Sequence, residues 1–303
     1  MLKGDEDAIL AASVGNSLSL WLDANDISTL TTVYNNMTET VSGTISTNTL
    51  TASADVSAKL QTGNYIRVNG TDIYTVASVS TVTITTVETL TSTYAALTVL
   101  ARREISQWND KSVNANHVTQ GTATNQPQVI TSGQNNKGIL YFDGADRLQL
   151  PAALLSIPNG PSTLFIVCKQ ATGGVQAAPF EMNASGSGRY NLLFLSTSGS
   201  VNFTSRAGGT GVTITGVTPT NFNIFNGRRS GTTEAISYNG GSETSDANAA
   251  DEASITAGSV GGITGLSFTG SIAEVILYNR SLSALEIFNI NKKLSYKWGV
   301  TLS

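Results

Sequence analysis

The chain has 303 residues, enough for one large β-sandwich with a small additional domain, and 29 of them are glycines. Only 13% of the residues are charged, which argues against a coiled coil or a charge-driven disordered tail. The net charge of −4 provides no basic surface for nucleic acid, and no apolar run is long enough to cross a bilayer, so we expect neither nucleic-acid partners nor membrane insertion.

The first 32 residues contain one clear strand. A single helical turn is expected at residues 6–12, and a strand with a polar turn follows at 18–26. Leu18, Leu20 and Leu22 share one face of this strand, and Trp21 lies on the other. The acidic N-terminus lacks the apolar segment of a signal peptide, so we expect synthesis in the cytoplasm.

Residues 33–101 form a block rich in Thr, Ser and Val, with strands predicted at 40–46, 49–52, 65–68, 71–79, 81–87 and 96–100. Asn69-Gly70 between two β-rich runs is a strong hairpin signal. The segment from Leu60 to Val68, followed by the Tyr-Thr-Val-Ala-Ser-Val run at 74–79, resembles small β-barrel modules of bacteriophage virion proteins. The resemblance implies an inserted small β-domain; the alternative is a long β-hairpin without a core of its own.

From residue 102 onward, many short strands are separated by glycine-rich turns, which predicts an all-β, two-sheet antiparallel sandwich. Cys168, the single cysteine, lies in an apolar run and is expected in the core. The run from Ile272 to Tyr278 is apolar on both faces, with Ile272, Glu274, Ile276 and Tyr278 together on one of them. A capping box at Ser283 and Glu286 then opens a short C-terminal helix that stops before Gly299.

Several short motifs outside the block resemble laminin-G-like, concanavalin-A-like domains. The resemblance implies a jelly-roll sandwich made of residues 1–32 and 102–303, interrupted by the domain at 33–101. The chain departs from the family at Val113 and Ala115, where glycines are usual, and by the insertion itself. The motifs are Trp-Leu-Asp-Ala at 21–24, Gln-Trp-Asn-Asp-Lys-Ser at 107–112, Thr-Gln at 119–120, Gln-Pro at 126–127, Tyr-Phe-Asp-Gly at 141–144 and the closing strand with its helix.

The sequence offers candidate residues for two kinds of ligand site. Glycan binding would use aromatic side chains beside amides on a sheet face, although the same aromatics alternate with apolar neighbours and fit a core equally well; the candidates are Tyr190, Phe203, Phe222, Tyr238 and Asn239. Calcium would need oxygen ligands from loops, although acidic residues are also ordinary in turns without any ion; the candidates are Asp23, Asp26, Asp110, Asp143 and Asp146. No other cofactor is expected.

No constellation of catalytic residues is evident. Hydrolases of this fold carry alternating carboxylates on one strand, and the chain has no such Glu-x-Asp-x-Glu run. His117 is the only histidine, and no Gly-x-Ser-x-Gly segment accompanies it. Glu274, alone on the last strand, is expected to pair with an arginine or the backbone. We therefore expect no enzymatic activity.

The leading hypothesis is a non-enzymatic structural protein on the virion surface of a tailed phage, either capsid decoration (cement) or a tail or fibre component. Its partners would be other virion proteins, further copies of itself in a homo-oligomer such as a trimer, and a host-surface glycan. The alternative is a carbohydrate-binding adhesion module that is not tied to a virion. A glycoside hydrolase is the least favoured class.

Overall fold

The computed structural model describes residues 17–184, 188–196, 199–207, 211–247, 255–262 and 266–303, so the helical turn expected at 6–12 lies outside the described residues. The described chain is almost entirely β-structure with one α-helix, as predicted. The strands are β1 Leu18–Asp23, β2 Leu30–Gly43, β3 Thr49–Ala52, β4 Tyr65–Val68, β5 Asp72–Ser80, β6 Thr83–Thr86, β7 Tyr94–Trp108, β8 Val118–Thr119, β9 Gln128–Gln134, β10 Lys137–Asp143, β11 Leu148–Gln149, β12 Ser162–Gln170, β13 Ala177–Ala184, β14 Gly188–Phe194, β15 Val201–Ala207, β16 Val212–Ile214, β17 Asn223–Ser230, β18 Thr233–Tyr238, β19 Thr244–Asp246, β20 Ile255–Val260 and β21 Thr269–Tyr278; the helix is α1 Ala284–Trp298.

Antiparallel strands outside the insert form two layers. Layer A runs β19–β18–β17–β12–β21, after which β1 and β10 share the other edge of β21 and β9 pairs with β10. Layer B runs β8–β11–β20–β13–β14–β15–β16. Strand β7 pairs with both β8 and β9 and so joins the layers at one side.

The main core lies between the layers. Layer A contributes Leu20, Ile166 and Val275 to it, and layer B contributes Phe180 and Leu192. Cys168 is fully buried in the same core, which confirms the expectation for the single cysteine. One face of each layer is therefore apolar and directed at the other layer.

The opposite face of layer A is also buried, because α1 packs over it through Ile287, Ile290, Leu294 and Trp298. The capping box between Ser283 and Glu286 is present, and Gly299 ends the helix with a φ of 64°. The prediction that Ile272 shares a face with Glu274 is wrong. A register shift in the β12–β21 pairing places Ile272 in the main core and leaves Ile276 and Tyr278 under the helix.

The insert is a closed barrel of six strands, paired in the order β2–β3–β6–β5–β4–β7 and back to β2. Its core is separate from those of the sandwich and includes Val41, Leu50, Tyr74 and Leu100. The alternative of a hairpin without a core is therefore excluded. Asn69-Gly70 forms the β4–β5 turn with positive φ at both residues, as the hairpin signal requires.

Two long strands connect the barrel to the sandwich. Both β2 and β7 run without interruption from one to the other, so the predicted limits at 33 and 101 fall inside strands. Strand β2 begins at Leu30, which pairs with Trp108. None of the helices in the described residues is long and apolar enough to span a membrane.

Candidate functional site

Two of the predicted glycan-binding aromatics cannot reach a ligand. Tyr190 and Phe203 are fully buried between the layers, where their rings meet edge to face at 5.3 Å between centroids. Their strands alternate aromatic and polar residues, and the apolar face turns inward because the core removes more apolar surface from water there. Tyr238 is half-buried against Phe225.

Asn239, by contrast, lies on the wall of an open cleft on the outer side of layer A, next to the end of α1. The cleft has a volume of about 410 Å³ and is lined largely by amides and hydroxyls. We call it the Lys169 cleft; its lining includes Gln134, Lys169, Thr220, Asn221, Phe222, Asn223, Asn239 and Thr301. These residues come from β9, β12, the beginning of β17 and the segment before it, the β18–β19 turn and the C-terminal tail.

The walls of the Lys169 cleft are held by hydrogen bonds that link side chains to one another and to the backbone. Asn239, with a φ of 49°, accepts a bond from the Ile224 amide through Oδ1 at 2.9 Å. Its Nδ2 donates to Asn223 Oδ1 at 2.9 Å, and Asn223 in turn donates to the Asn221 carbonyl at 2.7 Å. Gln134 Nε2 donates to the Trp298 carbonyl at 2.7 Å. The cleft therefore has its shape before any ligand is bound.

Lys169 supplies the positive charge of the cleft. Its Nζ lies 5.1 Å from the centroid of the Phe222 ring, a cation–π contact. Within the described part of the chain, Lys169 makes no ion pair. The ring therefore holds the ammonium group in place without neutralising it.

The five acidic residues predicted for calcium do not come together. Asp23 accepts ion pairs from Lys297 at 2.8 Å and Lys111 at 3.2 Å, and Asp26 pairs with Lys111 at 3.0 Å. Two lysines thus supply the positive charge that the calcium hypothesis assigned to a metal. Across the described ranges, no group of three or more Asp, Glu, His or Cys side chains is placed to hold a metal ion.

Asp110 has a local structural role instead. It accepts hydrogen bonds from the Trp21, Ser112 and Asn116 amides at 2.8–2.9 Å, and its own amide donates to His117 Nδ1 at 3.0 Å. The loop that it shapes lines a second cavity of about 470 Å³ with Asn114 and Asn116. Both amides already donate to carbonyls of β1, and the lining contains no charged side chain. This cavity is therefore a weaker candidate than the Lys169 cleft.

Asp143 and Asp146 lie in the turn that leads from layer A to layer B. Asp146 is buried, and its Oδ2 accepts the Asp143 amide at 3.0 Å. Burial, followed by the neighbouring Asp143 carboxylate, raises the pKa of Asp146 to about 8. A carboxyl group that is neutral at pH 7 is a poor calcium ligand.

Glu274 pairs neither with an arginine nor with the backbone. Its carboxylate accepts bonds from Trp21 Nε1 at 2.7 Å, Trp298 Nε1 at 2.6 Å and Lys297 Nζ at 2.8 Å. Burial raises the pKa of Glu274, while the Lys297 ammonium opposes that shift. The residue ties β1, β21 and α1 together.

Comparisons with known proteins found no matching family model and no matching curated protein. Among solved structures, Trypanosoma rangeli sialidase with the inhibitor DANA is 15% identical, covering 61% of this chain and 30% of its own length, with a TM-score of 0.45. Domain 4 of AbnA, a GH43 extracellular arabinanase from Geobacillus stearothermophilus, in complex with arabinotriose, is 14% identical, with coverages of 60% and 92% and a TM-score of 0.48. The CBM40 of Ruminococcus gnavus IT-sialidase bound to α2,3-sialyllactose is 14% identical, with coverages of 46% and 86% and a TM-score of 0.36.

The chain thus spans less than a third of the length of the sialidase that it resembles. Identities and TM-scores this low leave the ligand and activity of the chain to be inferred from its own geometry.

Proposed function

We propose that this chain is a carbohydrate-binding module built on a concanavalin-A-like jelly roll, with the Lys169 cleft as its binding site. The observation that supports the proposal is the polar lining of a preformed cleft of about 410 Å³. That volume lies within the usual range for small-molecule sites, about 300–1,000 Å³. Binding does not require a catalytic group, in keeping with the expectation that the chain is not an enzyme.

The chemistry of the cleft suits a sugar. Amide and hydroxyl side chains can both donate to and accept from sugar hydroxyls, and the lining offers Asn221, Thr220 and Thr301 at its exposed rim. Because hydrogen bonds already fix Asn223 and Asn239, little conformational entropy is lost when a ligand binds. Lys169 adds one cation that would favour a sugar carrying a carboxylate or other anionic substituent.

The test is a panel of neutral and acidic oligosaccharides, measured by glycan array and then by titration calorimetry. Arabinotriose and α2,3-sialyllactose, the sugars bound in two of the similar structures, are suitable first probes. We expect Lys169→Gln to weaken binding of the best ligand by roughly tenfold to a hundredfold, because a charged hydrogen bond contributes about 1.5–3 kcal/mol. Lys292→Gln, which removes an exposed lysine of α1, is the matched control and should leave affinity unchanged. Equal affinity for the two variants, or no binding across the panel, would contradict the proposal.

A second candidate function is attachment to a particle through the barrel. The end of the barrel away from the sandwich exposes several apolar side chains, of which Leu97 is 79% exposed with a φ of 74°. A bulky residue with positive φ is strained, and strain is often retained where it serves a function. We propose that this end contacts other virion proteins and further copies of the chain, as in a trimer. The exposed residues are Ile45, Ile73, Val87, Leu97 and Val99.

This second function predicts a tailed-phage virion as the location, either as capsid decoration or as a tail or fibre component. The test replaces residues 37–100 with an Asn-Gly turn at the Asn36–Ala101 pair, where β2 and β7 leave the sandwich. We expect a soluble sandwich that is absent from purified virions by mass spectrometry. Incorporation at the wild-type copy number would contradict attachment through the barrel.

A further inference from the structure

The outer surface of the barrel carries two arginines and two tyrosines next to one another. On β4, Ile66 and Val68 point into the barrel core, so the residues that alternate with them point outward. Strand β7 pairs with β2 on one side and with β4 on the other, which brings outward residues of all three strands together. We call this surface the Arg–Tyr face; its residues are Tyr34, Tyr65, Arg67 and Arg103, and all four are half-buried.

Each arginine of the Arg–Tyr face stacks on a tyrosine of another strand. The guanidinium carbon of Arg67 lies 4.7 Å from the centroid of the Tyr34 ring. The guanidinium carbon of Arg103 lies 5.0 Å from the centroid of the Tyr65 ring. To reach Tyr34, the Arg67 side chain crosses β7, where its pairing partner is the small residue Ala101. The rings therefore hold both guanidinium groups in place before any ligand binds.

No carboxylate neutralises either arginine of the face. Other arginines of the chain pair with glutamates, as Arg228 does with Glu243. Among the residues that the structure describes, Arg67 and Arg103 form no ion pair, and Arg103 donates one long hydrogen bond, at 3.5 Å, to Thr32 Oγ1. Of the guanidinium nitrogens without a partner, only Nε is buried in each arginine, so the terminal nitrogens lie at the surface.

The Arg–Tyr face also offers neutral polar groups. Burial raises the pKa of Tyr34, and the positive charges of Arg103 and Arg67 only partly oppose that shift. At pH 7 the Tyr34 phenol therefore keeps a hydrogen to donate. The exposed amide of Asn36 lies on the same face, since Asn36 and Arg67 pair with Ala101 from opposite sides.

We propose that the Arg–Tyr face is a second carbohydrate site, which binds the carboxylates of an acidic oligosaccharide. The inference rests on the proposed carbohydrate-binding function but does not depend on the Lys169 cleft. The planar guanidinium group of each arginine matches a carboxylate and donates to both of its oxygens. The Tyr34 hydroxyl and the Asn36 amide contact neighbouring sugar hydroxyls.

The geometry and charge of the chain favour a short acidic ligand over a long polyanion. Arg67 and Arg103 are diagonal neighbours on β4 and β7, with Cβ atoms about 7–8 Å apart, so a ligand of a few sugar units reaches both. The chain as a whole carries a net charge of −4, which disfavours a long polyanion such as nucleic acid.

The experiment uses the full-length Lys169→Gln protein, in which the cleft contributes little, and titrates it with trigalacturonate and with its fully methyl-esterified form. The two ligands share their sugar chain, and only the first is charged. We expect the charged form to bind at least roughly tenfold more tightly. Arg67→Gln and Arg103→Gln should each weaken that binding by roughly tenfold. Lys292→Gln, which removes an exposed charge from α1, is the control and should leave the affinity unchanged.

Two further measurements separate sugar binding from folding and from general attraction of anions. Arg67→Lys keeps a cation beside the Tyr34 ring but lacks the planar fork, so it should lose affinity without a fall in Tm. Inorganic sulfate at the concentration of the sugar should not displace trigalacturonate, because it makes no contact with the neutral polar groups.

No binding of trigalacturonate, equal affinity for its two forms, full affinity in both Arg→Gln variants or displacement by equimolar sulfate would each overturn the proposal. Binding that is present in the wild type and lost in the Lys169→Gln protein would place the acidic sugar in the cleft, which supports the proposed function and overturns the second site. Binding to the Arg–Tyr face would stand even if no ligand from the array depended on Lys169.

Discussion

On the outer face of layer A, apolar side chains are covered by α1, whereas the outer face of layer B carries a row of polar residues that includes Glu181, Asn191 and Thr204. Each face buries polar groups, but the two faces differ in whether these groups have hydrogen-bond partners. Under the helix, both carboxylate oxygens of Glu274 accept hydrogen bonds, and the donors are Trp21, Lys297 and Trp298. On layer B, the Asn191 amide has none. The helix-covered face thus pairs its buried charge, whereas layer B leaves a buried amide unpaired at a cost of about 1–3 kcal/mol per group.

The largest effect is expected on the covered face of layer A. Trp298→Ala removes a fully buried ring from the helix–sheet contact and one of the donors to Glu274, and should lower the free energy of unfolding by about 3–5 kcal/mol. Urea denaturation measures the change. Tyr296→Ala, on the exposed side of the same helix, is the control and should change stability by less than about 0.5 kcal/mol. Similar losses for both variants would show that α1 does not cover an essential core.

Asp146, in the turn between the layers, should make the free energy of unfolding depend on pH. The pKa of Asp146 is about 8 in the folded chain and about 3.9 when unfolded, so between these values the folded state binds more protons. Stability from this group is therefore present at low pH and falls by about 1.4 kcal/mol per pH unit as pH rises towards 8. The charged groups around Asp146 are Asp143, Arg102 and Glu104.

Asp146→Asn tests this dependence, because the amide keeps an oxygen to accept the Asp143 amide hydrogen and cannot ionise. We expect the variant to be more stable than the wild type at pH 8 and to lose the wild-type decline between pH 5 and about 8. Denaturant titrations at one-unit pH intervals measure both curves. Parallel curves would mean that Asp146 is ionised in the folded chain.

The smallest effect is expected at the beginning of α1. Ser283 Oγ accepts the Glu286 amide hydrogen, and Glu286 Oε2 accepts the Ser283 amide hydrogen at 2.8 Å. Ser283→Ala removes half of this capping box and should cost about 1 kcal/mol in the free energy of unfolding. Ser132→Ala, an exposed serine in β9, is the control and should have no measurable effect. A loss no larger than that of the control would show that the capping box does not stabilise the protein.

Local patterns in the sequence were sufficient for several elements. The apolar run of β21, the capping box at Ser283 and the stop at Gly299 were all predicted, as was the Asn69-Gly70 hairpin of the barrel. Each depends on residues close together in the chain, where backbone geometry and alternation decide the outcome. The register shift that moves Ile272 inward depends on β12 and could not be read from β21 alone.

The candidate sites could not be predicted in the same way. Lys169, Asn239 and Thr301 meet in one cleft although they are far apart in sequence. The pairing of Asn191 with Thr204 depends on the register between β14 and β15, which neither strand shows alone. The lysines at Asp23 belong to a loop and to α1, and no local pattern indicates either pair.

The most direct test of glycan binding is a crystal structure with the oligosaccharide that binds most tightly in the array. We expect the sugar in the Lys169 cleft, with a ligand oxygen about 3 Å from Lys169 Nζ and further contacts to Asn221 and Thr301. A tightly bound sugar located elsewhere on the molecule, with Lys169 still seated on Phe222 and touching no ligand, would contradict the assignment of the cleft as the binding site.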